Sequence, residues 1–250
     1  MMKTQWIALP ALVLLLGRSA AQATPELTNS TQKISYALGM EVVRALQADD
    51  FDINLPAITA GVADMQAGKP ALTPAERSAV MRQMKEAILA RAVAKKEAEG
   101  AKHRQAGEAF LASNATREGV QTKTLTAPDG TTAQLQYKVL KSGPPGASPQ
   151  TNDAVALHFT GHLLDGTVFD SSAQRGGKAV FLMNDVIPGM AAALQMMKPG
   201  DQWQLFVPPS LAYADYGPPP IGVNSTLIYE LELVSFSAAN TVTPDSPAIK

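Results

Sequence analysis

From Thr73 to about Ser113 the sequence reads as one continuous helix. Thr73-Pro74-Ala75-Glu76 combines a threonine cap, proline at the first helical position and a glutamate placed for a reciprocal capping box. At 1.5 Å per residue such a helix is ~60 Å long. A rod of that length divides the chain into a part before it and a part after it. Val80, Met81, Met84, Ile88 and Leu89 form an apolar stripe, but from Ala94 to Ala109 no large apolar residue follows. Alanine, Lys, Glu, Arg and Gln give good helix propensity there with nothing to bury. Gly100 and Gly107 weaken the helix locally. The second half therefore reads as a solvated rod joining two domains. It is not a coiled-coil seam, because large residues at a and d positions stop at Leu89.

Upstream, Tyr36, Met40, Val43 and Leu46 recur with helical spacing. A second helix is predicted from Asn54, a good N-cap, with Leu55, Ile58, Val62 and Met65 on one face and Gly68 as its stop. Two short helices with apolar faces bury too little to be stable alone. A second copy of the chain solves this, and Met40, Met65, Met81 and Met84 suit an adaptable helix–helix interface. The expectation is a homodimer through residues 30–90, within a helical dimerisation domain that spans 30–113 with its linker helix. A small monomeric helical domain is the alternative.

After Asn114 the period becomes two. Leu135, Tyr137 and Val139 alternate, as do Val155, Leu157 and Phe159, then Trp203, Leu205 and Val207, then Leu227, Tyr229, Leu231 and Leu233. Asp165-Gly166 reads as a two-residue hairpin turn. A short helix follows Pro188-Gly189 and runs to about Met197, and a proline-rich loop spans 208–223. The fold class is α+β: an all-helical domain, then an antiparallel sheet with one short helix. The second domain is placed at 120–236, with a disordered polar tail over 237–250.

The first 23 residues read as a signal peptide. Lys3 precedes the apolar run Ile7–Leu16, and Ala21-Gln22-Ala23 has the small-x-small pattern of a cleavage site. The run is too short for a permanent membrane span. Export is expected, to the periplasm first, with outer-membrane association or secretion as alternatives. The formal net charge of −1 gives no reason to expect nucleic acid or anionic lipid as a partner. The chain has no cysteine, which excludes disulfides, thiolate catalysis and cysteine-ligated metals.

Residues 155–172, VALHFTGHLLDGTVFDSS, concentrate the reactive side chains. His158 and His162 are four apart on a strand, hence ~13 Å apart, too far to chelate one ion. No histidine is placed by the hairpin to activate Ser171 or Ser172, and no G-x-S-x-G elbow is present. Asp165 is explained by its turn, which leaves Asp170 as a lone carboxylate without an acid/base partner. No cofactor or metal is expected. What remains is shape, with Phe159 and Phe169 flanking the hairpin.

LHFTGHLLDGTVFDSS, VFLMNDVIPGM, SLAYADYG and NSTLIYELELV, in that order, resemble the FKBP-type peptidyl-prolyl isomerase domain. QKISYALGMEV, the FDIN segment and the long charged helix resemble the exported Mip (macrophage infectivity potentiator) type. The resemblance implies N-terminal dimerisation and an FKBP-type sheet wrapped around a short helix. It implies binding of proline-containing polypeptides, folding assistance to exported proteins, and inhibition by macrolides. It implies pocket walls at Phe159, Phe169, Phe181, Val186, Ile187, Tyr213, Ile221 and Tyr229, with Met190 as floor. It also implies that the Ile187 N–H donates to the carbonyl before the proline, Tyr213 donates to one after it, and Asp170 lies beside the twisted carbonyl. From the residues alone, each of these positions reads more readily as core, loop or turn than as site, because core positions outnumber site positions. Met190 stands where the family usually has tryptophan, Phe159 where it has tyrosine, and Tyr229 where it has phenylalanine. These departures keep a second expectation open, a weakly catalytic or non-catalytic dimeric chaperone or interaction protein that uses the domain for binding.

Overall fold

The computed structural model describes residues 26–48, 52 and 54–238 of the chain. The expected signal peptide lies outside the described residues, as does the tail from 239 onward. By internal packing the chain divides into two compact units, Met1–Val80 and Met81–Lys250.

The described part of the first unit is helical, and local signals account for each helix start. α1 (Ser30–Ala48) begins after Asn29, whose side chain accepts from the Gln32 N–H at 2.9 Å. The Gln32 side chain returns the bond to the Asn29 N–H at 3.2 Å. α2 (Leu55–Gln66) is capped by Asn54, which accepts from the Ala57 N–H at 3.0 Å. Gly68, at φ +69°, stands where an L side chain is disfavoured. α3 (Pro74–Asn114) opens on the capping box read in the sequence, with Glu76 accepting from the Thr73 N–H at 2.8 Å. Those hydrogen bonds lower the pKa of Glu76. None of the residues of α2 is buried, and Ile34, Leu38, Met40, Val62 and Met65 stand exposed.

The second unit is a seven-stranded antiparallel sheet. Its strands are β1 (Val120–Thr126), β2 (Thr132–Lys141), β3 (Asp153–His162), β4 (Val168–Ser171), β5 (Ala179–Leu182), β6 (Gln202–Val207) and β7 (Leu227–Ala238). The order is β1-β2-β6-β7-β3-β4, with β5 paired to the other half of the β3 edge that β4 uses. α4 (Pro188–Leu194) contributes Met190, Ala193 and Leu194 to a core built with Leu135, Leu157, Leu205 and Leu233. Gly189 permits this packing, since a Cβ there would meet Val207 Cγ1 at 2.5 Å. Ser237 and Ala238, assigned to the tail by composition, complete β7.

Three readings need correction. The 163–167 turn is one residue longer than expected. The Leu163 N–H bonds the Thr167 carbonyl, the Gly166 N–H bonds the Leu163 carbonyl, and Gly166 has φ +87°. This is a three-residue loop closed by a glycine bulge. The strands β1 and β5 escape the alternation test. β1 has the near-polar sequence VQTKTLT of an exposed edge, and β5 is only four residues long.

The third correction concerns the solvated rod. Within the second unit, α3 is in contact with the sheet domain along Gly100, His103, Gly107, Phe110, Leu111 and Asn114. Gly100, Gly107 and Asn114 are buried. The His103 Nδ1 lies 2.8 Å from the Val223 carbonyl, and Phe110 packs against Phe206 with ring centroids 5.8 Å apart. Asn114 donates to Gln136 Oε1 at 2.9 Å, and Gln136 donates to the Leu111 carbonyl at 2.8 Å. These positions share one helical face. The glycines do not mark weakness here. A Cβ at Gly100 would come within 3.0 Å of Val223 Cγ2, and one at Gly107 would collide with Thr226 Oγ1.

Candidate active site

Phe159 sits on β3 and Tyr229 faces it from β7, their ring centroids 6.5 Å apart. Phe181 on β5 meets Phe159 edge-on at 5.7 Å, and Phe169 on β4 meets Tyr229 edge-on at 5.5 Å. The space for this pairing comes from Gly161. A Cβ there would lie 2.5 Å from Phe169 Cζ and 3.0 Å from Tyr229 Cε1. Val186 and Ile187 lead into α4, Met190 lies one turn inside it at 1% exposure, and Ile221 comes from the 208–226 loop. All four are buried in the same core as Phe159, Phe181 and Tyr229, with Phe169 and Tyr213 packed against it.

Consecutive strand residues point to opposite faces, yet Phe169 and Asp170 both address this cluster. The register explains it. Gly161 pairs with Asp170 and His162 pairs with Val168, so Phe169 is the extra residue of a bulge.

Asp170 is not a lone carboxylate. Arg175 donates from Nε to Oδ1 at 3.0 Å and from a terminal nitrogen to Oδ2 at 2.8 Å. The guanidinium carbon stands 6.0 Å from the Phe181 ring centroid. The short segment holding Arg175 is pinned by the two serines of the motif. Ser172 exchanges bonds with Phe159, donating its N–H to the carbonyl at 2.9 Å and accepting the Phe159 N–H on Oγ at 3.1 Å. Ser171 Oγ accepts from the Gln174 N–H at 3.2 Å. The serines are therefore structural. Sequence reasoning missed Arg175, and its signal was a cation five residues beyond Asp170 in DSSAQRGG.

Two phenols complete the site. The hydroxyls of Tyr213 and Tyr229 are buried without a hydrogen-bond partner. Burial is the main cause that pushes the Tyr213 pKa up to about 12, with Asp170 adding and Arg175 opposing. Burial also raises Tyr229 well above the ordinary tyrosine value, helped by Tyr213 and Asp170. Both phenols therefore stay protonated donors. The Ile187 N–H, at the open start of α4, also has no acceptor among the described residues. The site thus offers apolar walls, unpaired donors and one neutralised charge pair. It has no activated nucleophile, and no group of three or more metal-ligating side chains occurs among the described residues.

Comparison with known proteins decides the family. Residues 146–234 match the model of the FKBP-type peptidyl-prolyl cis-trans isomerase, and residues 31–139 match that of the domain amino terminal to it. The chain is 34% identical to the outer membrane protein MIP of Legionella longbeachae, over 95% of this chain and 99% of that one. It is 37% identical to the peptidyl-prolyl cis-trans isomerase Mip of Coxiella burnetii, over 89% and 93% of the two chains.

The chain belongs to the FKBP-type peptidyl-prolyl cis-trans isomerases.

Membership covers both halves of this FKBP-type isomerase. The 22 kDa FKBP-type isomerase of Escherichia coli is 38% identical over 84% of this chain and 98% of its own. The crystal structure of FkpA from the same organism superposes with a TM-score of 0.68 at 32% identity, covering 85% of this chain and 99% of that one. For an FKBP-type isomerase the lack of an activated nucleophile is no puzzle. Rotation about an Xaa-Pro bond breaks and makes no covalent bond, and its barrier of ~20 kcal/mol is the loss of amide resonance.

Proposed function

We propose that the cluster of Phe159, Phe169, Phe181, Tyr213, Ile221 and Tyr229, floored by Met190 and rimmed by Val186 and Ile187, is the pocket that binds the proline of the substrate. The observation that carries this reading is the convergence of two buried, unpartnered phenols and the Asp170–Arg175 pair on one apolar cluster. A planar amide carries more charge separation than a twisted one, so an apolar wall favours twisting relative to water. Catalysis requires the twisted form to be bound better than either planar isomer. The Ile187 N–H holds the carbonyl before the proline and the Tyr213 hydroxyl holds one after it. Asp170, oriented by two bonds from Arg175, lies beside the rotating carbonyl. Together these need to lower the barrier by ~6–7 kcal/mol for a ~10⁵-fold acceleration.

The same reading makes the first unit a homodimerisation module, supported by the apolar side chains its helices leave in solvent. It makes the protein an exported helper in the folding of proline-containing polypeptides and a target of macrolides that fill FKBP pockets. Export is supported by the leader-like first 23 residues and by the name of the Legionella relative. No described helix is long and apolar enough to cross a membrane.

The decisive experiment is isomerisation of a proline tetrapeptide by the chain from Thr24, compared with its Asp170→Leu and Tyr213→Phe variants. Loss of rate in both, with the fold intact by circular dichroism, supports the site. Full activity in both would refute it.

A further inference from the structure

The loop that carries Tyr213 and Ile221 is held from behind by α3, through His103. The Nδ1 of His103 is 2.8 Å from the Val223 carbonyl, which only accepts, so Nδ1 bears the proton and donates. The ring also lies against Gly222, where a Cβ would meet His103 Cε1 at 3.1 Å. Ser225, whose Oγ is 3.4 Å from the same nitrogen, donates to the Ile221 carbonyl at 2.6 Å. From Val223 the path runs on to the other pocket residue. The Asn224 N–H bonds the Ala214 carbonyl at 2.7 Å, and Ala214 follows Tyr213 directly. Both Ala214 and Asn224 sit at positive φ, +48° and +55°, an arrangement the loop must be held in.

The rest of the loop gets little help from the helix. Two grooves run beside this line of contact. One of about 500 Å³ separates Arg104 and Glu108 from Pro208, Pro209 and Ser210. The other, of about 610 Å³, separates Glu99 and Lys102 from Pro220 and Ser225. The bracing is therefore concentrated on the stripe of Gly100, His103 and Gly107.

We propose that His103 is a positioning residue of the isomerase: through the Val223 carbonyl it holds the 213–225 loop in the conformation that presents Tyr213 and Ile221 to the substrate. This rests on the pocket reading above. The helix that leads out of the N-terminal half is then part of the catalytic unit. An FKBP-type domain cut at residue 120 loses the brace while keeping every pocket residue.

The effect to look for is a split between binding and turnover. If the loop leaves its competent conformation, affinity falls by the fraction lost, while bound substrate still selects the competent loop. In the full chain, His103→Leu should raise the KM for a proline tetrapeptide by up to about fivefold, the limit set by one neutral hydrogen bond, and leave kcat within about twofold. Exchange of the Asn224 amide should quicken about as much, since its bond to Ala214 opens more often. His103→Asn, which keeps a donor near the Nδ1 position, should restore both values. Gly107→Ala is the independent variant. Its Cβ would collide with Thr226 Oγ1 and lie 3.2 Å from Thr226 Cβ, so Thr226 or the helix must give way at this contact, although alanine itself favours helix. It too should raise KM. His103→Leu with unchanged KM and unchanged Asn224 exchange overturns the proposal, as does a Gly107→Ala that quickens Asn224 exchange without raising KM, or a loss confined to kcat. Tyr213→Phe and Ile221→Ala in the same assay locate a failure. If they reduce activity while the helix variants do not, only the brace is wrong. If they too have no effect, the pocket reading falls and the brace with it.

Discussion

The two units use apolar residues in opposite ways. In the second, Leu135, Leu157, Met190, Leu205 and Tyr229 are sealed in one core. In the first, Leu38 is 63% exposed and Val62 65%, though both lie on well-capped helices. Capping and propensity are local, so a helix can be fully specified by its sequence and still lack the burial that stabilises it. The second unit satisfies its burial within one chain. Among its described residues the first leaves apolar side chains in solvent, and a second copy of the chain is the occupant proposed for them.

The largest expected effect tests that contrast directly. Met40→Asp with Val62→Asp places charges on the apolar stripes of the two helices, one on each. Burying them in an interface costs at least ~4 kcal/mol, or roughly 10³-fold in dimer affinity. Light scattering should show the mass halved, while the tetrapeptide rate per chain stays within about twofold. An unchanged dimer would remove those stripes from the interface, and a monomeric parent chain would remove the dimer.

Asp170→Leu acts in the other unit and should leave dimerisation untouched. It strips Arg175 of its partner and the pocket of its anion. Hydrogen bonds between charged groups are worth ~1.5–3 kcal/mol, so kcat/KM should fall about 10- to 100-fold. Full activity would make the pair purely structural.

Met190→Trp probes how tightly the core is filled. Residue 190 is 1% exposed, so the added volume should destabilise the second unit by ~1–3 kcal/mol. The flat indole should also tighten macrolide binding. A lowered melting temperature with unchanged macrolide affinity and rate would exclude residue 190 as the pocket floor.

Tyr213→Phe has the smallest effect, a few-fold loss of activity from one neutral hydrogen bond of ~1 kcal/mol. It also carries a pH signature. Tyr213 titrates at about 12 in the folded chain against 10.0 ordinarily, mainly because it is buried. Its proton is held more tightly in the folded state, so its contribution is fully present below pH 10 and lost as pH rises to about 12. Urea midpoints of the parent should fall across that window. The variant should show a shallower fall, with Tyr229 supplying a remainder of the same sign. Identical slopes would mean that Tyr213 is solvated.

The helices, their caps at Asn54 and Thr73, the switch to period two after Asn114 and the order of the pocket motifs were all legible along the chain. Each is written in residues a few positions apart. Three features were not. The bulge that turns Phe169 and Asp170 to one side depends on the register of β3 against β4. The capture of Asp170 by Arg175 depends on where the segment after β4 returns, which Ser172 and Phe159 determine. Apart from Phe110 and Leu111 at its end, the contact face of α3 is made of Gly100, His103, Gly107 and Asn114, residues that carry no hydropathy signal. Small and polar side chains become buried only when a partner surface comes close enough to use them, and tertiary structure alone brings Val223 and Thr226 to that helix.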